Sequence, residues 1–214
     1  MTNIGILGSG DVGKTLAKGF RKYDYHVTIG SDHVEKLAEF KKENPGIDTS
    51  TFEESAETSD IIVLCVKGTI AEKIVEKVKS NLSGKTVIDA TNPIADAPPQ
   101  NGVLKFFTSL EESLMERLQK LAPNAHFVKA FNSIGSGLMI NPDFGHETKP
   151  TMFICGNNDD AKEKVSDLIQ LFGFEVEDMG KAESARAIEP LCILWCLPGF
   201  LRNEWTHAFK LLKK

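Results

Sequence analysis

The sequence holds few cysteines, no block of basic residues and no apolar run long enough to cross a bilayer, and each absence removes a class of protein. Four cysteines, Cys65, Cys155, Cys192 and Cys196, spread over 214 residues, make no disulfide framework and lead us to expect reduced thiols in a cytoplasmic protein. Cys192 and Cys196 share a helix face by their spacing, yet nothing nearby completes a metal site, so buried core is the expectation. Thirty acidic against twenty-five basic side chains leave a net charge of -5, which argues against a nucleic-acid or anionic-membrane partner and leaves a small-molecule substrate. The longest apolar run, residues 191–197, ends at Pro198 and is far shorter than the about 20 residues of a membrane span. A strand pattern begins within a few residues of the first methionine, so no leader peptide is expected. Five histidines are scattered, no Ser-His-Asp or Cys-His set assembles, and no repeat or low-complexity segment is present.

What the sequence does have stands at its beginning. Ile4, Ile6 and Leu7 form an apolar run of strand length, and Gly8, Gly10 and Gly13 follow at G-x-G-x-x-G spacing before a helical pattern opens. The first glycine allows the tight turn from strand to helix, the second lets backbone approach a pyrophosphate, and the third lets the helix pack on the strand. The anion then lies at the helix N-terminus, where free N–H groups and the dipole favour negative charge. The same residues also satisfy G-x-x-x-x-G-K-T, a phosphate-binding loop of nucleotide hydrolases, with Lys14 and Thr15 in the required places and Asp89 as a candidate magnesium ligand. The strand before the turn and the middle Gly10 favour the dinucleotide reading.

Strand and helix patterns alternate along the rest of the chain, which predicts an α/β fold with a doubly wound parallel sheet. Strands are expected near residues 26–29, 61–66, 86–88, 126–130, 152–155 and 175–177. Capping patterns place helix starts at Asp32 with Glu35, Thr51 with Glu54, Thr69 with Glu72 and Ser109 with Glu112. Residues 91–102 carry three prolines and no periodicity, a long connection of the kind that usually serves function. From Ala182 the pattern is helical to the C-terminus, with a break at Pro198 and Gly199. The division expected is a dinucleotide-binding domain over residues 1–140 and a small C-terminal α/β and helical unit, residues 141–214, packed on it.

Ligands of such sheets sit beyond the carboxyl ends of the strands. That rule selects Gly8, Ser9, Gly10, Asp11, Val12 and Gly13 for the pyrophosphate. It selects Gly30, Ser31, Asp32, His33 and Lys36 for the adenosine ribose, and Val66, Lys67 and Gly68 for the second ribose. Thr91, Asn92, Pro93 and Asn132 are selected for the nicotinamide. Ser31 with His33 and Lys36 would suit a 2′-phosphate, which needs donors and positive charge. Asp32 could instead cap the following helix or hold a ribose hydroxyl.

At these motifs the chain resembles the coenzyme F420-dependent NADP oxidoreductase family, a deazaflavin-using group related to the pyrroline-5-carboxylate reductases. The matching pieces are residues 6–13, Gly30 and Ser31 with Lys36, residues 89–93, residues 128–132 (Val-Lys-Ala-Phe-Asn), and Glu189, Pro190 and Leu191. The resemblance implies a Rossmann-type domain that binds NADP, NAD being the other option, with a small C-terminal helical extension closing over a second ring system. It departs from the family at Asp32, where an arginine for the 2′-phosphate is implied, and at Lys67, where the deazaflavin enzymes often carry proline. The expected activity is hydride transfer between NADP(H) and a flavin-like or deazaflavin acceptor, which needs no side-chain acid or base. Two alternatives stand beside it. One is an imine or carbonyl reductase of the pyrroline-5-carboxylate reductase type, with Lys67 or His33 as proton donor; the other is a dinucleotide-binding module without turnover. Homodimer formation is left open.

Overall fold

The computed structural model describes residues 2–145 and 148–214. Eight strands form one sheet: β1 (Asn3–Leu7), β2 (His26–Gly30), β3 (Ile47–Ser50), β4 (Ile61–Leu64), β5 (Thr86–Asp89), β6 (His126–Lys129), β7 (Thr151–Gly156) and β8 (Glu175–Asp178), in the order β3-β2-β1-β4-β5-β6-β7-β8. The strand order reverses between β1 and β4, and there the crevice for a ligand opens. Every pairing is parallel except β6 with β7, which is antiparallel and confined to Val128↔Gly156 and Lys129↔Cys155.

Alternate side chains of the central strands feed two cores, because successive residues of a strand point to opposite faces. Ile6, Val63, Ile88 and Val128 are wholly buried on one face, with Leu16, Ala17 and Phe20 of α1 (Asp11–Lys22) and Val165 and Ile169 of α6 (Asp159–Leu171). Leu7, Ile62, Leu64, Val87 and Phe127 are buried on the other, beneath α3 (Phe52–Thr58), α4 (Gly68–Leu82) and α5 (Leu114–Leu121). Burial on both faces is why these strands read as nearly continuous apolar runs.

Several local expectations change. Residues 47–50 form an edge strand; only Ile47 of its Ile-Asp-Thr-Ser is apolar and buried, and the three polar residues after it carry no strand signal of their own. Thr51 and Glu54 make the expected capping box. Helix α4, by contrast, starts at Gly68 with no side-chain cap, not at Thr69. The pair that caps α5 is Ser113 with Glu116, while Ser109 and Glu112 form an isolated antiparallel bridge. Both pairs satisfy the S-x-x-E pattern; packing decides, since Leu114 and Leu118 are buried and Leu110 is 74% exposed. After β2 a single 3-10 turn (Val34–Leu37) leads into a short α2 (Ala38–Glu43), with His33 and not Asp32 at the cap position. Residues 91–113 are an excursion held by main-chain bonds such as Ala95 N–H to Lys105 C=O (2.8 Å) and Phe107 N–H to Pro93 C=O (2.9 Å).

The C-terminal helical region also differs. A 3-10 turn (Ala182–Ser184) and α7 (Ala185–Ile188) precede α8 (Leu191–Arg202), which continues through Pro198 and Gly199 without a break. It ends at Asn203 in the left-handed conformation (φ 57°). Beyond it the chain is non-helical and folds back: the Trp195 indole N–H donates to His207 C=O (2.8 Å), and Thr151 N–H of β7 donates to Phe209 C=O (2.9 Å). Gly199 is needed because Trp205 lies where a Cβ would stand, 2.3 Å away. The expectation of no membrane-length apolar segment changes here: although the uninterrupted apolar run is only residues 191–197, Ala182–Arg202 as a whole is long and apolar enough to cross a membrane by length and composition, with 33% of its most apolar 18-residue window buried in the fold.

Candidate functional site

The glycine turn has the geometry its spacing implies. Gly8 adopts φ 134°, and a Cβ on Gly13 would stand 2.1 Å from the Gly8 carbonyl oxygen, so neither position accepts a side chain. Around Gly10, by contrast, nothing lies within 4 Å of where a Cβ would be. No side chain caps α1, so the amides of Asp11, Val12 and Gly13 are available at the positive end of a twelve-residue helix. An open space beside free amides fits a pyrophosphate. The hydrolase reading does not fit: Lys14 lies over the Phe40 ring, 5.5 Å from its centroid. Asp89, its candidate magnesium ligand, is fully buried against Lys129.

Next to the glycine turn, Ser31 Oγ lies 3.3 Å from Ser9 Oγ and accepts from His33 N–H (3.1 Å). Asp32 caps nothing; its Oδ1 meets Lys77 Nζ of α4 at 2.7 Å. His33 is exposed and faces Glu35 (3.3 Å), and Lys36 lies in the following 3-10 turn.

At the other end of the crevice a cavity of about 330 Å³ is lined by Val12, Cys65, Lys67, Thr91, Asn92 and Ile94, among others. Lys67 and Asp96 are its ionisable lining groups besides the Cys65 thiol, and burial pushes that thiol up to about 12, so it stays protonated. Gly68 lies against the Asn92 carbonyl, where a Cβ would be 2.0 Å from the oxygen; this contact joins the start of α4 to the Thr91–Asn92 peptide. A larger hollow of about 620 Å³ lies beside β8 and the C-terminal tail. It is remote from the glycine turn, and its Lys210 and Lys213 are paired to Glu175 and Glu177.

Behind the cavity wall lies a buried charge cluster whose members the sequence reading met only as a magnesium candidate and as pieces of a resemblance. Lys129, with no exposed surface, brings Nζ to 2.7 Å from Asp89 Oδ2 and 3.0 Å from Glu189 Oε1, and donates to Thr91 C=O at 3.0 Å. Lys129 is the one group among the described residues that meets Asp89 Oδ2, as an ion pair. The other oxygen, Oδ1, accepts from Thr91 N–H (2.9 Å) and Thr91 Oγ1 (2.6 Å). Glu189 accepts from the Leu114 and Met115 amides at the start of α5, 3.0 Å each. Burial works against the Lys129 ammonium, but the two carboxylates outweigh it and hold its pKa above the ordinary lysine value. A second clamp joins Arg186 of α7 to Glu116 of α5 (2.6 Å), holding the Glu116 carboxyl down at about 2.

Asn132 braces the same wall. Its Nδ2 donates to Asn92 Oδ1 (3.2 Å) and Ile188 C=O (3.0 Å), while Asn92 Nδ2 donates to Asn132 C=O (2.7 Å). Asn132 Oδ1 is buried without a donor among the described residues. Helix α8 does not line the cavity; Leu197 and Leu201 pack behind Gly102, at the far end of the 91–113 excursion. The structure therefore gathers Val12, Val66, Lys67, Gly68, Thr91 and Asn92 around one cavity, and places Ser31, Asp32, His33 and Lys36 at the other end of the crevice.

An open doubly wound sheet with a glycine turn at its switch point and a cavity at the next strand ends defines a Rossmann-type fold of the dinucleotide-binding kind. Comparison with known proteins agrees. Residues 3–93 match the family model described as NADP oxidoreductase coenzyme F420-dependent. The F420-dependent NADP reductase of Methanocaldococcus jannaschii is 27% identical over 200 residues, 88% of each chain. Metalloreductase STEAP3 of Rattus norvegicus is 30% identical over 203 residues, 92% of this chain but 38% of that protein, so the chain spans well under half the length of the metalloreductases it matches. A crystal structure of a candidate F420-dependent NADP-reductase from Arthrobacter sp. FB24 superposes over the whole of both chains with a TM-score of 0.93 at 25% identity. These similarities agree with the resemblance to the F420-dependent NADP oxidoreductase family carried by the motifs.

Proposed function

We propose that the protein transfers hydride between NADP(H) and a flavin-like or deazaflavin ring. The observation that carries this is the cavity itself: it reaches Val12 of the glycine turn, is lined mostly by apolar and small residues, and has Lys67, Asp96 and the protonated Cys65 thiol as its ionisable groups, with no hydrogen bond or ion pair joining Lys67 to Asp96 among the described residues. A bound dinucleotide would supply the hydride carrier; the chain's own residues hold, orient and dry it. The amides of Asp11, Val12 and Gly13 suit the pyrophosphate. Asn132 lies behind the cavity wall and outside its lining; it holds Asn92 of that lining through the Asn92–Asn132 bonds, and its unpaired Oδ1 would meet a carboxamide N–H once a ring seated there opens the wall. Lys67, at the cap of α4, suits the nicotinamide-side ribose. NADPH is favoured over NADH by a modest margin, since Asp32 stands where the family places arginine. The remaining assigned residues, Gly30, Ser31, His33 and Lys36 at the adenosine end and Pro93 in the loop, line the rest of the path.

Residues 1–140 form the nucleotide unit in this reading and residues 141–214 a C-terminal unit clamped to it through Glu189 and Arg186. The setting is cytoplasmic, which suits four cysteines none of which is in a disulfide. Assembly as a homodimer belongs to the same reading. A second reading, reduction of a small imine or carbonyl, is favoured by Lys67, a titratable side chain at the cavity; His33, turned to Glu35 at the other end, drops out as its donor. Mixing the protein with NADPH and, separately, a deazaflavin, a flavin and a cyclic imine separates the two. Loss of NADPH absorbance with the ring acceptors alone supports the first reading, and turnover of the imine that vanishes in Lys67→Ala supports the second. Binding of NADPH with no turnover of any acceptor would leave a non-catalytic module.

A further inference from the structure

Two carboxylates and one ammonium meet at the end of β2, where a dinucleotide's adenosine ribose is expected. Gly30 and Ser31 stand where an NAD protein carries its ribose-binding acid, and Asp32 follows two residues past the end of β2. In this chain its carboxylate is turned to α4, where Lys77 Nζ lies 2.7 Å from Asp32 Oδ1 and 3.0 Å from Glu53 Oε1. The same ammonium stands over the Phe52 ring, 5.7 Å from its centroid, which fixes it from a third side. Hydrogen bonds from Lys77 to Asp32 and then Glu53 raise its pKa, so it is charged. The turn that follows Asp32 is held by Ser31 Oγ accepting from His33 N–H, which leaves the Asp32 carboxylate no local structural task. Both partners are half exposed, 35% and 48%, so a ligand can reach them.

We infer that Lys77 is the residue that determines cofactor choice: it masks Asp32 and supplies the cation which the family's arginine would otherwise provide to a 2′-phosphate. The inference rests on the reading that the glycine turn binds a dinucleotide. A 2′-phosphate carries between one and two negative charges at neutral pH. Beside Asp32 and Glu53 alone it would face two like charges; with Lys77 present it shares an ammonium whose hydrogen bonds to anions are charge-assisted. A ribose 2′-hydroxyl suffers no such repulsion, and a carboxylate released from Lys77 can accept its hydrogen bond. Removing Lys77 therefore drives the two affinities apart, whereas a lysine that merely tied α4 to the β2 end would alter both alike.

The test is titration of NADPH and NADH, by the change in intrinsic fluorescence, against the full chain and the variants Lys77→Met, Lys77→Arg, Asp32→Asn and the Lys77→Met, Asp32→Asn pair. Lys77→Met should weaken NADPH by about ten- to a hundredfold, the loss of one charge-assisted bond, and leave NADH unchanged or tighter. Lys77→Arg should keep the wild-type preference, and Asp32→Asn should recover part of the lost NADPH affinity in the pair. An NADPH-to-NADH ratio unmoved by Lys77→Met overturns the inference. Should Lys77→Met fail to fold, Lys77→Gln decides in its place: a fall in the NADPH-to-NADH ratio supports the inference, and an unmoved ratio overturns it. Failure of the wild type to bind either cofactor would instead defeat the dinucleotide reading on which it rests.

Discussion

The two ends of the crevice carry similar charges in opposite settings. At the cavity end Lys129 and Asp89 have no exposed surface and Glu189 almost none; at the adenosine end Lys77, Asp32 and Glu53 are 35–48% exposed. In both places one ammonium serves two carboxylates, yet the consequences differ. A buried triad must remain complete, because removing one member strands the others away from water. An exposed triad is screened and exchangeable, so it adds little stability but can be shared with a ligand. Charge of the same arithmetic thus fixes a wall at one end and sets selectivity at the other.

The largest effect that would break this comparison is at Lys129. Lys129→Met leaves two buried carboxylates unpaired and should destabilise the fold by about 3–5 kcal/mol, read as a fall in the urea midpoint. Adding Asp89→Asn and Glu189→Gln should recover a large part of it; an unaffected midpoint in the single variant would show the cluster to be solvated. Lys77→Met should change the midpoint by no more than about 1 kcal/mol.

Gly10→Leu comes next. With nothing within 4 Å of the Cβ position, the fold should tolerate the side chain while NADPH binding falls by at least about a hundredfold, or roughly 2.8 kcal/mol. Unchanged affinity in a calorimetric titration would move the pyrophosphate elsewhere. Gly13→Ala, whose Cβ would meet the Gly8 oxygen at 2.1 Å, should instead lose stability and binding together.

A smaller effect is expected of the Arg186 clamp. Glu116 has its pKa lowered from 4.5 to about 2 in the folded state, so its contribution is full above the unfolded value and is lost as pH falls from about 4.5 toward about 2. Arg186→Ala should lower the urea midpoint at neutral pH by less than Lys129→Met does, because the guanidinium is partly solvated. The difference between wild type and variant should shrink on acidification across that window; a constant difference would assign the clamp to packing alone.

The glycine turn, the alternation of strands and helices and the strand-end rule were legible because each depends on neighbours in sequence: Gly8, Gly10 and Gly13 carry their geometry within six residues. Spacing alone does not separate the Ser113–Glu116 cap from Ser109–Glu112; only the packing of Leu114 and Leu118 does. Strand β3 was hidden because only Ile47 of this edge strand is apolar and buried. The passage of α8 through Pro198 has no local signal: Trp205 of the returning tail packs on Gly199 and lies 5.7 Å, centroid to centroid, from Trp195, contacts that no sequence pattern reveals. Lys129 and Glu189 lie 60 residues apart and meet only through the sheet. The one clue was a lysine in an otherwise apolar strand, Phe127, Val128, Lys129, Ala130, since a charge in a fully buried strand requires partners. Lys77 had no clue at all: it reads as one more exposed lysine of α4.

The most direct test of the central claim is a single-turnover mix of the protein with NADPH and an oxidised deazaflavin, following NADPH absorbance and deazaflavin reduction together. The account predicts that the two traces move with one rate and equal stoichiometry, with the rate in Lys67→Ala within about tenfold of wild type because no side-chain proton donor is required. NADPH that binds but stays reduced in the presence of the deazaflavin and of flavins, or is consumed only with an imine through Lys67, would contradict it.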